Sequence, residues 1–275
     1  MTPLSLVKYE GLGNDFLIVI DRLGDAPISA SIAVALCDRH RGIGADGLIR
    51  LSESETGESL CFELRNADGS VAETSGNGLR CAALAAVDEG LTVTRAFPLE
   101  TIAGPVHAEL GARHAGEVEV RVTMGSAVVG EIDAPIANRR AFHVNVGNPH
   151  LVLLGERSDD VDLAAVGPGL ENAVEGGQNV EVVSVTARDR MTLAVWERGA
   201  GLTLACGSGA VAAAAAAWSI GLVDGSVVVD NPGGVVRVEL TGDDPENPTV
   251  ALTGPARRIG SISVELSDFG EASPP

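Results

Sequence analysis

Aromatic and basic residues are scarce in this 275-residue chain. Aromatic residues make up 3% of it while hydrophobic residues reach 45%, which predicts a core of alanine, valine, leucine and glycine and gives no sign of disorder. The 19 basic residues are scattered and outnumbered by 38 acidic ones, for a net charge of −19. Because phosphate binding needs clustered lysine and arginine, we expect no nucleic-acid partner.

Cysteine and histidine are also sparse. The spacing of the four cysteines fits neither a zinc site nor a disulfide framework, and the five histidines are scattered, so we expect no metal site. The cysteines are Cys37, Cys61, Cys81 and Cys206.

Long hydrophobic runs are missing too. The longest nearly apolar run, 210–223, is too short and too rich in alanine to span a bilayer. The first ten residues lack the basic start and apolar block of a secretory signal. We therefore expect a cytoplasmic protein with no membrane partner.

The chain does contain a glycine-rich turn that leads into a helix. Residues 205–209 read Ala-Cys-Gly-Ser-Gly, and the alanine-rich run that follows is a strong helix former. A helix start presents unpaired N–H groups and a positive dipole end, which attract anions and lower the pKa of a thiol. The pattern predicts that Cys206 acts as a thiolate beside a bound carboxylate. The alternative is a buried, inert cysteine.

An earlier segment repeats this design. Residues 75–78 read Ser-Gly-Asn-Gly and are followed by an apolar helix over 79–87. Two copies of one motif predict two similar halves that face a common cleft.

The fold class predicted by the whole pattern is α+β, with short strands between turns and a few helices. We expect two pseudo-symmetric halves, each a β-sheet wrapped around a long apolar central helix, with the active site in the cleft between them. Further helices are predicted over 29–41 and 159–170. The predicted divisions are an N-terminal half over 1–124, a C-terminal half over 125–257, a strand near 261–266 that completes the first half, and a frayed tail over 267–275.

Several polar residues stand at turns among the glycines. Asparagine alone has a structural explanation at such places, because it tolerates left-handed backbone and closes its own turns. Together, amides, a carboxylate and an arginine suit a zwitterionic ligand. The set is Asn14, Asn66, Asn77, Asn148, Asn179, Glu197 and Arg198.

These motifs, in this order, make the chain resemble the diaminopimelate epimerases, a family of amino-acid epimerases that use no cofactor. The similarity extends from the Gly11–Phe16 segment to Thr253-Gly254-Pro255-Ala256. The matching motifs are Asn66-Ala67-Asp68-Gly69-Ser70, Gly147-Asn148-Pro149-His150, Asn179-Val180-Glu181, Glu197-Arg198-Gly199-Ala200-Gly201 and Ala205-Cys206-Gly207-Ser208-Gly209.

The resemblance implies stereoinversion of L,L-diaminopimelate to the meso form, in lysine and peptidoglycan-precursor synthesis, by a homodimer without a cofactor. Inversion needs a base on one face of the α-carbon and an acid on the other. The implied catalytic positions are those of Cys206 and Ser75. The residues implied to hold the substrate are Asn14, Asn66, Asn148, Asn179, Glu197 and Arg198. Gly76 with Asn77 and Gly207 with Ser208 would cradle the α-carboxylate, and His150 would support the centre.

The chain departs from the family pattern at its first catalytic position, where the family has a cysteine and this chain has Ser75. Cys81 lies six residues further on, displaced by about 9 Å and ~240° on a helix, and is predicted to be a core residue. Gly47, Leu202 and Leu204 also replace residue types that are common in the family.

Three hypotheses follow from the departure at Ser75. The first is an epimerase that works with Cys206 and either Ser75 or another group. The second is a one-thiol isomerase or eliminase acting on another amino acid. The third is an amino-acid-binding module without turnover. Nucleotide binding is not favoured, because neither glycine loop carries the lysine or acidic partner that such loops need.

Overall fold

The structure is a computed structural model that describes residues 3–22, 26, 28–54, 56–73, 75–136, 138–157 and 159–269. Within these ranges it has four α-helices and sixteen β-strands, which confirms the predicted α+β class. The chain divides into two compact units, one made of residues 1–122 and 255–275 and the other of residues 123–254.

The first unit contains a sheet with the strands in chain order from β1 to β7. Strands β2 and β3 are parallel, as are β4 and β5, and β1 also pairs with the last part of β16. The elements are β1 Leu4–Gly11, β2 Asn14–Asp21, α1 Ala30–Cys37, β3 Gly47–Glu53, β4 Leu60–Asn66, α2 Gly76–Asp88, β5 Ala96–Thr101, β6 Gly104–His114 and β7 Glu117–Ser126, whose last residues belong to the second unit.

The second unit contains strands in the order β16-β15-β14-β12-β11-β10-β9-β8. The β10–β11 and β12–β14 pairs are parallel. The elements are β8 Val128–Ile136, β9 Arg139–Asn145, β10 Pro149–Gly155, α3 Leu163–Glu171, β11 Asn179–Ala187, β12 Arg190–Glu197, β13 Gly201–Leu202, α4 Gly207–Ser219, β14 Ser226–Asn231, β15 Gly234–Thr241 and β16 Thr249–Val264.

The same run of strand pairings precedes the long helix in both units. In the first unit, Phe16 lies opposite Gly47 in the parallel β2–β3 pair, and β4 returns antiparallel to β3. In the second, His150 lies opposite Asn179 in the parallel β10–β11 pair, and β12 returns antiparallel to β11. Each returning strand is followed by the residue that caps the long helix, so positions in one unit can be compared with positions in the other.

The long helices α2 and α4 are buried over most of their length. Residues 76–86 of α2 and 207–217 of α4 are all buried. Helix α2 packs against β1–β4 and β6, and α4 packs against β8–β12, β14 and β15. The alanines of both helices leave room for close packing on the surrounding strands, which offsets their small apolar area.

Two predicted helices are shorter than expected. Helix α1 ends at Cys37, because the Asp38 carboxylate accepts hydrogen bonds from the amides of His40 and Arg41 and closes a turn there. Helix α3 begins only at Leu163, after Asp162, which caps it.

The sequence Thr253-Gly254-Pro255 is typical of a turn, but it lies inside strand β16. The strand predicted near 261–266 is the last part of β16, ends at Val264 and pairs with β1 of the first unit. Strand β16 is continuous, because its first part pairs with β15 and its later part pairs with β1. The tail predicted to fray from residue 267 begins with a 3-10 helix, Leu266–Phe269, whose Phe269 packs on the core of the first unit. Residues 270–275 lie outside the described residues.

Helix α2 departs from an all-apolar composition at Arg80, which is completely buried. Its guanidinium donates to the Gly76 carbonyl at 3.1 Å, to Asn77 Oδ1 at 2.8 Å and to the Pro255 carbonyl at 3.3 Å. Burial lowers its pKa to about 10. A buried cation is tolerated only when such oxygens replace its water, so Arg80 ties the start of α2 to β16.

We predict that Arg80→Met destabilises the protein by about 2–4 kcal/mol, because it leaves three buried oxygens without their charged donor. Urea unfolding at unchanged m value measures the loss. Arg237→Met is the matched control, since Arg237 is exposed and its substitution should change stability by less than about 0.5 kcal/mol. Equal stabilities of the two variants would contradict the assignment.

Candidate active site

Helix α2 begins at a serine cap. The backbone of Ser75 is extended, with φ −153° and ψ 109°, and its hydroxyl accepts a hydrogen bond from the Gly78 amide at 3.0 Å. Serine is among the preferred residues at this position because its oxygen satisfies an otherwise unpaired amide. Ser75 therefore has a structural role as a cap, whatever else it does.

Helix α4 begins in the same way at a cysteine. Cys206 is extended, with φ −121° and ψ 115°, and its sulfur accepts from the Gly209 amide at 3.4 Å. The sulfur also lies 3.5 Å from Ser208 Oγ. Cysteine is not a favoured cap, so the thiol at this position needs another explanation than helix stability.

Around the start of α2, Asn77 and Asn14 belong to a chain of hydrogen bonds that all run in one direction. Arg80 donates to Asn77 Oδ1, Asn77 Nδ2 donates to Asn14 Oδ1 at 3.2 Å, and Asn14 Nδ2 donates to Asp46 Oδ2 at 2.7 Å. Because arginine can only donate and a carboxylate only accept, both amides are fixed. Asn66 is not part of this chain: it is exposed and donates to Ser70 Oγ at 3.0 Å.

Around the start of α4, the chain runs through a histidine. His150 Nδ1 lies 2.7 Å from Glu181 Oε1, and His150 Nε2 lies 2.9 Å from Asn148 Oδ1. Asn148 Nδ2 lies 3.5 Å from Ser208 Oγ, which contacts Cys206. The structure thus brings together four of the predicted residues and adds Glu181.

Two further predicted residues, Glu197 and Arg198, lie on the segment that leads to Cys206, and a third, Asn179, contacts that segment from the start of β11. Glu197 accepts a hydrogen bond from Thr203. Asn179 Oδ1 accepts from the Arg198 amide at 3.0 Å, while Asn179 Nδ2 donates to the Pro149 carbonyl at 3.2 Å. The Asn179 side chain therefore fixes backbone here. The Arg198 side chain is exposed, and its Nη1 donates to the Gly176 carbonyl at 3.3 Å.

The family model described as diaminopimelate epimerase matches residues 6–130 and 142–259. The chain belongs to the diaminopimelate epimerase family.

Two relatives are of similar length to the chain. A diaminopimelate epimerase of Synechocystis sp. is 36% identical, over 96% of this chain and 99% of the relative. One from Leptospira biflexa is 35% identical, over the same shares of both chains. Among solved structures, a probable proline racemase of Agrobacterium radiobacter has a TM-score of 0.76 at 16% identity, over 98% of this chain and 94% of that one. The last match shows the fold alone.

The lowered pKa predicted for a thiol at the start of α4 is outweighed by the surroundings of Cys206. Burial raises the pKa of Cys206 well above its ordinary value, and the Glu197 and Glu181 carboxylates raise it further. Hydrogen bonds from Ser208 and the Gly209 amide oppose the rise without cancelling it. The helix start alone therefore does not ionise Cys206, and its action as a thiolate beside a bound carboxylate stays a prediction.

Glu197 is shifted in the same direction. Burial raises the pKa of its carboxyl group, and the Glu181 charge adds to the rise, while hydrogen bonds with Thr203 and Cys206 oppose it. A thiol and a carboxyl group with raised pKa values, in hydrogen-bond contact, form a pair that can pass a proton between them.

Sequence reasoning missed the residues that support the two helix starts: Asp46, Arg80, Glu181 and Thr203. Glu181 belongs to the Asn179-Val180-Glu181 motif, but it stands among valines in a strand. The sequence pattern there does not indicate that both faces of the strand are buried. The other three carry no signal beyond their nearness to glycine-rich turns.

The residues that the structure describes contain no group of three or more histidine, cysteine or acidic side chains that could hold a metal ion. No helix among them is long and apolar enough to cross a membrane. The four cysteines are all unpaired, and Cys81 is completely buried, which raises the pKa of its thiol to about 12. Cys81 is therefore a poor substitute for a catalytic thiol.

We predict that Glu197→Gln lowers the pKa of Cys206, because it removes the carboxylate that raises this pKa more than Glu181 does. Thiolate absorbance titrated against pH, with Cys206→Ser as the blank, measures the shift. Glu246→Gln, at an exposed position, is the control and should leave the titration unchanged. A Glu197→Gln curve that coincides with that of the unmodified protein would show that the two groups are not coupled.

Proposed function

We propose that this chain catalyses the stereoinversion of L,L-diaminopimelate to the meso form, a step of lysine and peptidoglycan-precursor synthesis. The observation that carries the proposal is the Cys206 thiol that caps α4, where its sulfur lies 3.4 Å from the Gly209 amide and 3.5 Å from Ser208 Oγ and where the half-buried Glu197 raises its pKa. Family membership and the names of the relatives support this choice of substrate.

The reaction breaks the α-carbon–hydrogen bond on one face and forms a new one on the other. In the proposed step, the Cys206 thiol first passes its proton to Glu197, whose raised pKa suits a proton acceptor. The thiolate then takes the α-proton, and the electron pair stays on the α-carbon. An acid on the opposite face delivers a proton to that carbon, and in the reverse direction the two groups exchange roles.

The intermediate needs stabilisation of the charge that builds on its α-carboxylate. We propose that the amides of Gly207 and Ser208 at one helix start, and of Gly76 and Asn77 at the other, cradle this carboxylate. The residues proposed to hold the rest of the substrate are Asn14, Asn66, Asn148, Asn179, Glu197 and Arg198, with His150 in support.

Ser75 is proposed to supply the proton on the second face. Its hydroxyl occupies the cap position that Cys206 occupies in the other unit, but a hydroxyl is a far weaker acid than a thiol. This inequality favours a second candidate, a one-thiol isomerase or eliminase in which Cys206 removes the proton and Ser75 assists protonation or departure.

The finer architecture belongs to the same proposal. We propose two pseudo-symmetric halves, each built around its long helix, with the active site in the cleft between them, and a homodimer in the cytoplasm. Matching strand pairings in the two units support the symmetry. A rice relative is named as a chloroplastic enzyme, so the family is not confined to one compartment.

We predict α-proton exchange when L,L-diaminopimelate is incubated with the protein in D₂O, followed by proton NMR and chiral analysis of the product. Cys206→Ala should slow exchange by at least about 10²-fold while leaving ligand binding measurable, because it removes the group that moves the proton. Ser75→Cys should raise the inversion rate by about 10²-fold, because it supplies a stronger acid on the second face.

Cys61→Ser is the matched control, since Cys61 lies outside both helix starts and should leave the rates unchanged. Exchange at the full rate in Cys206→Ala would overturn the assignment of the base. Turnover of a β-hydroxy amino acid, but not of diaminopimelate, would favour the eliminase. Tight binding with no exchange by any variant would indicate a binding module.

A further inference from the structure

The second unit buries an acid–base pair that the proposed reaction does not yet use. The side chains of His150 and Glu181 are completely buried and lie 2.7 Å apart, Nδ1 to Oε1. Among the described residues, nothing hydrogen-bonds to Glu181 Oε2. A buried carboxylate with an unpaired oxygen is costly unless a positive charge compensates it.

The fold itself does not require this pair. By strand register, His150 and Glu181 occupy the positions that Phe16 and Ile49 occupy in the first unit. Phe16 and Ile49 are also buried, at 3% and 0% exposure. An apolar pair therefore fits the same place in the same run of strands, so the polar pair in the second unit calls for a functional reason.

Hydrogen-bond direction identifies that reason. Asn148 Oδ1 only accepts, so His150 Nε2 must carry a proton to bond it. The Glu181 carboxyl group then meets Nδ1 across a second shared proton. The Asn148 amide then directs its Nδ2 at Ser208 Oγ, which leaves the Ser208 hydroxyl proton for the Cys206 sulfur.

We propose that Glu181 is a positioning residue that holds His150 with its Nε2 proton directed at Asn148, and that this pair orients Asn148 and Ser208 so that the Ser208 hydroxyl donates to Cys206. The proposal rests on the proposed epimerase function. It gives the cysteine a donor at the moment when it must exist as a thiolate, which burial otherwise opposes. The 3.5 Å link between Asn148 and Ser208 is the weakest part of the chain and is expected to shorten during reaction.

Two neighbouring features agree with this role. Gly209 has no side chain, and a Cβ there would stand 2.7 Å from Glu181 Oε1, so a glycine is what allows the carboxylate to reach the first turn of α4. The charge on His150 also opposes the rise in the pKa of Glu197. His150 thus acts on both members of the Cys206–Glu197 pair, through the hydrogen-bond chain on Cys206 and through its electrostatic effect on Glu197.

The direct test reads the unmodified protein. In protein with ¹⁵N-labelled histidine, the His150 ring signals, assigned by their loss in His150→Asn, should show a proton on Nε2 at the pH of the activity assay. A bare Nε2 in the unmodified protein would overturn the proposal, because Asn148 would then face the other way and Ser208 would donate away from Cys206.

A second test uses the pair found in the first unit. The double variant His150→Phe with Glu181→Ile should fold, since these residues fill the same positions there, but its α-proton exchange should fall by at least about 10-fold through loss of a charge-assisted hydrogen bond. Ser219→Ala, another serine on α4, is the matched control and should exchange at the unmodified rate. A folded double variant that exchanges at the full rate would overturn the positioning role.

The two proposals fail in different ways. If the unmodified protein shows neither exchange nor inversion, the epimerase function fails while the histidine signals can still show the proton on Nε2. If exchange is normal and Nε2 is bare, the function stands and the role of Glu181 fails.

Discussion

The first turn of a helix has amide groups that the helix itself cannot satisfy, and both long helices of this protein begin at buried positions where water does not replace them. The side chain at the cap must therefore accept a hydrogen bond, and the turn must be small enough for a ligand to approach. Serine, cysteine and glycine meet these demands. The same first turns that need an acceptor also attract a carboxylate, so the constraint on folding and the proposed binding of substrate have one origin.

The two units meet this constraint with different chemistry. In the first, a buried arginine donates to the start of α2 and fixes two asparagines, while the cap is a hydroxyl. In the second, a buried His150–Glu181 pair lies against the start of α4, where the cap is a thiol. The position equivalent to Arg80, five residues after the cap, is Val211 in the second unit. The two units thus support their helix starts with different buried groups, Arg80 in the first and the His150–Glu181 pair in the second.

Local sequence patterns predicted much of the fold. The α+β class, both long helices and the residues at their caps follow from glycine-rich turns that precede apolar runs. Sequence reasoning failed where long-range pairing decides: β16 continues through an apparent turn at Gly254 because it pairs with two different strands. It also failed on charge. A helix start predicts a low thiol pKa, but the burial of Cys206, which raises this pKa most, and the Glu197 and Glu181 carboxylates, which raise it further, arise only from the fold.

The central claim is that the two helix caps are chemically unequal, with a thiol that moves protons readily and a hydroxyl that does not. Incubating L,L- and meso-diaminopimelate separately in D₂O, and measuring early deuterium uptake in the remaining starting isomer, tests this directly. The account predicts that only one isomer, the one whose α-hydrogen faces Cys206, exchanges faster than it inverts, because the thiol returns a deuteron to the same face before the hydroxyl acts. If both isomers take up deuterium only with inversion and at equal rates, two equal groups are at work and the account is wrong.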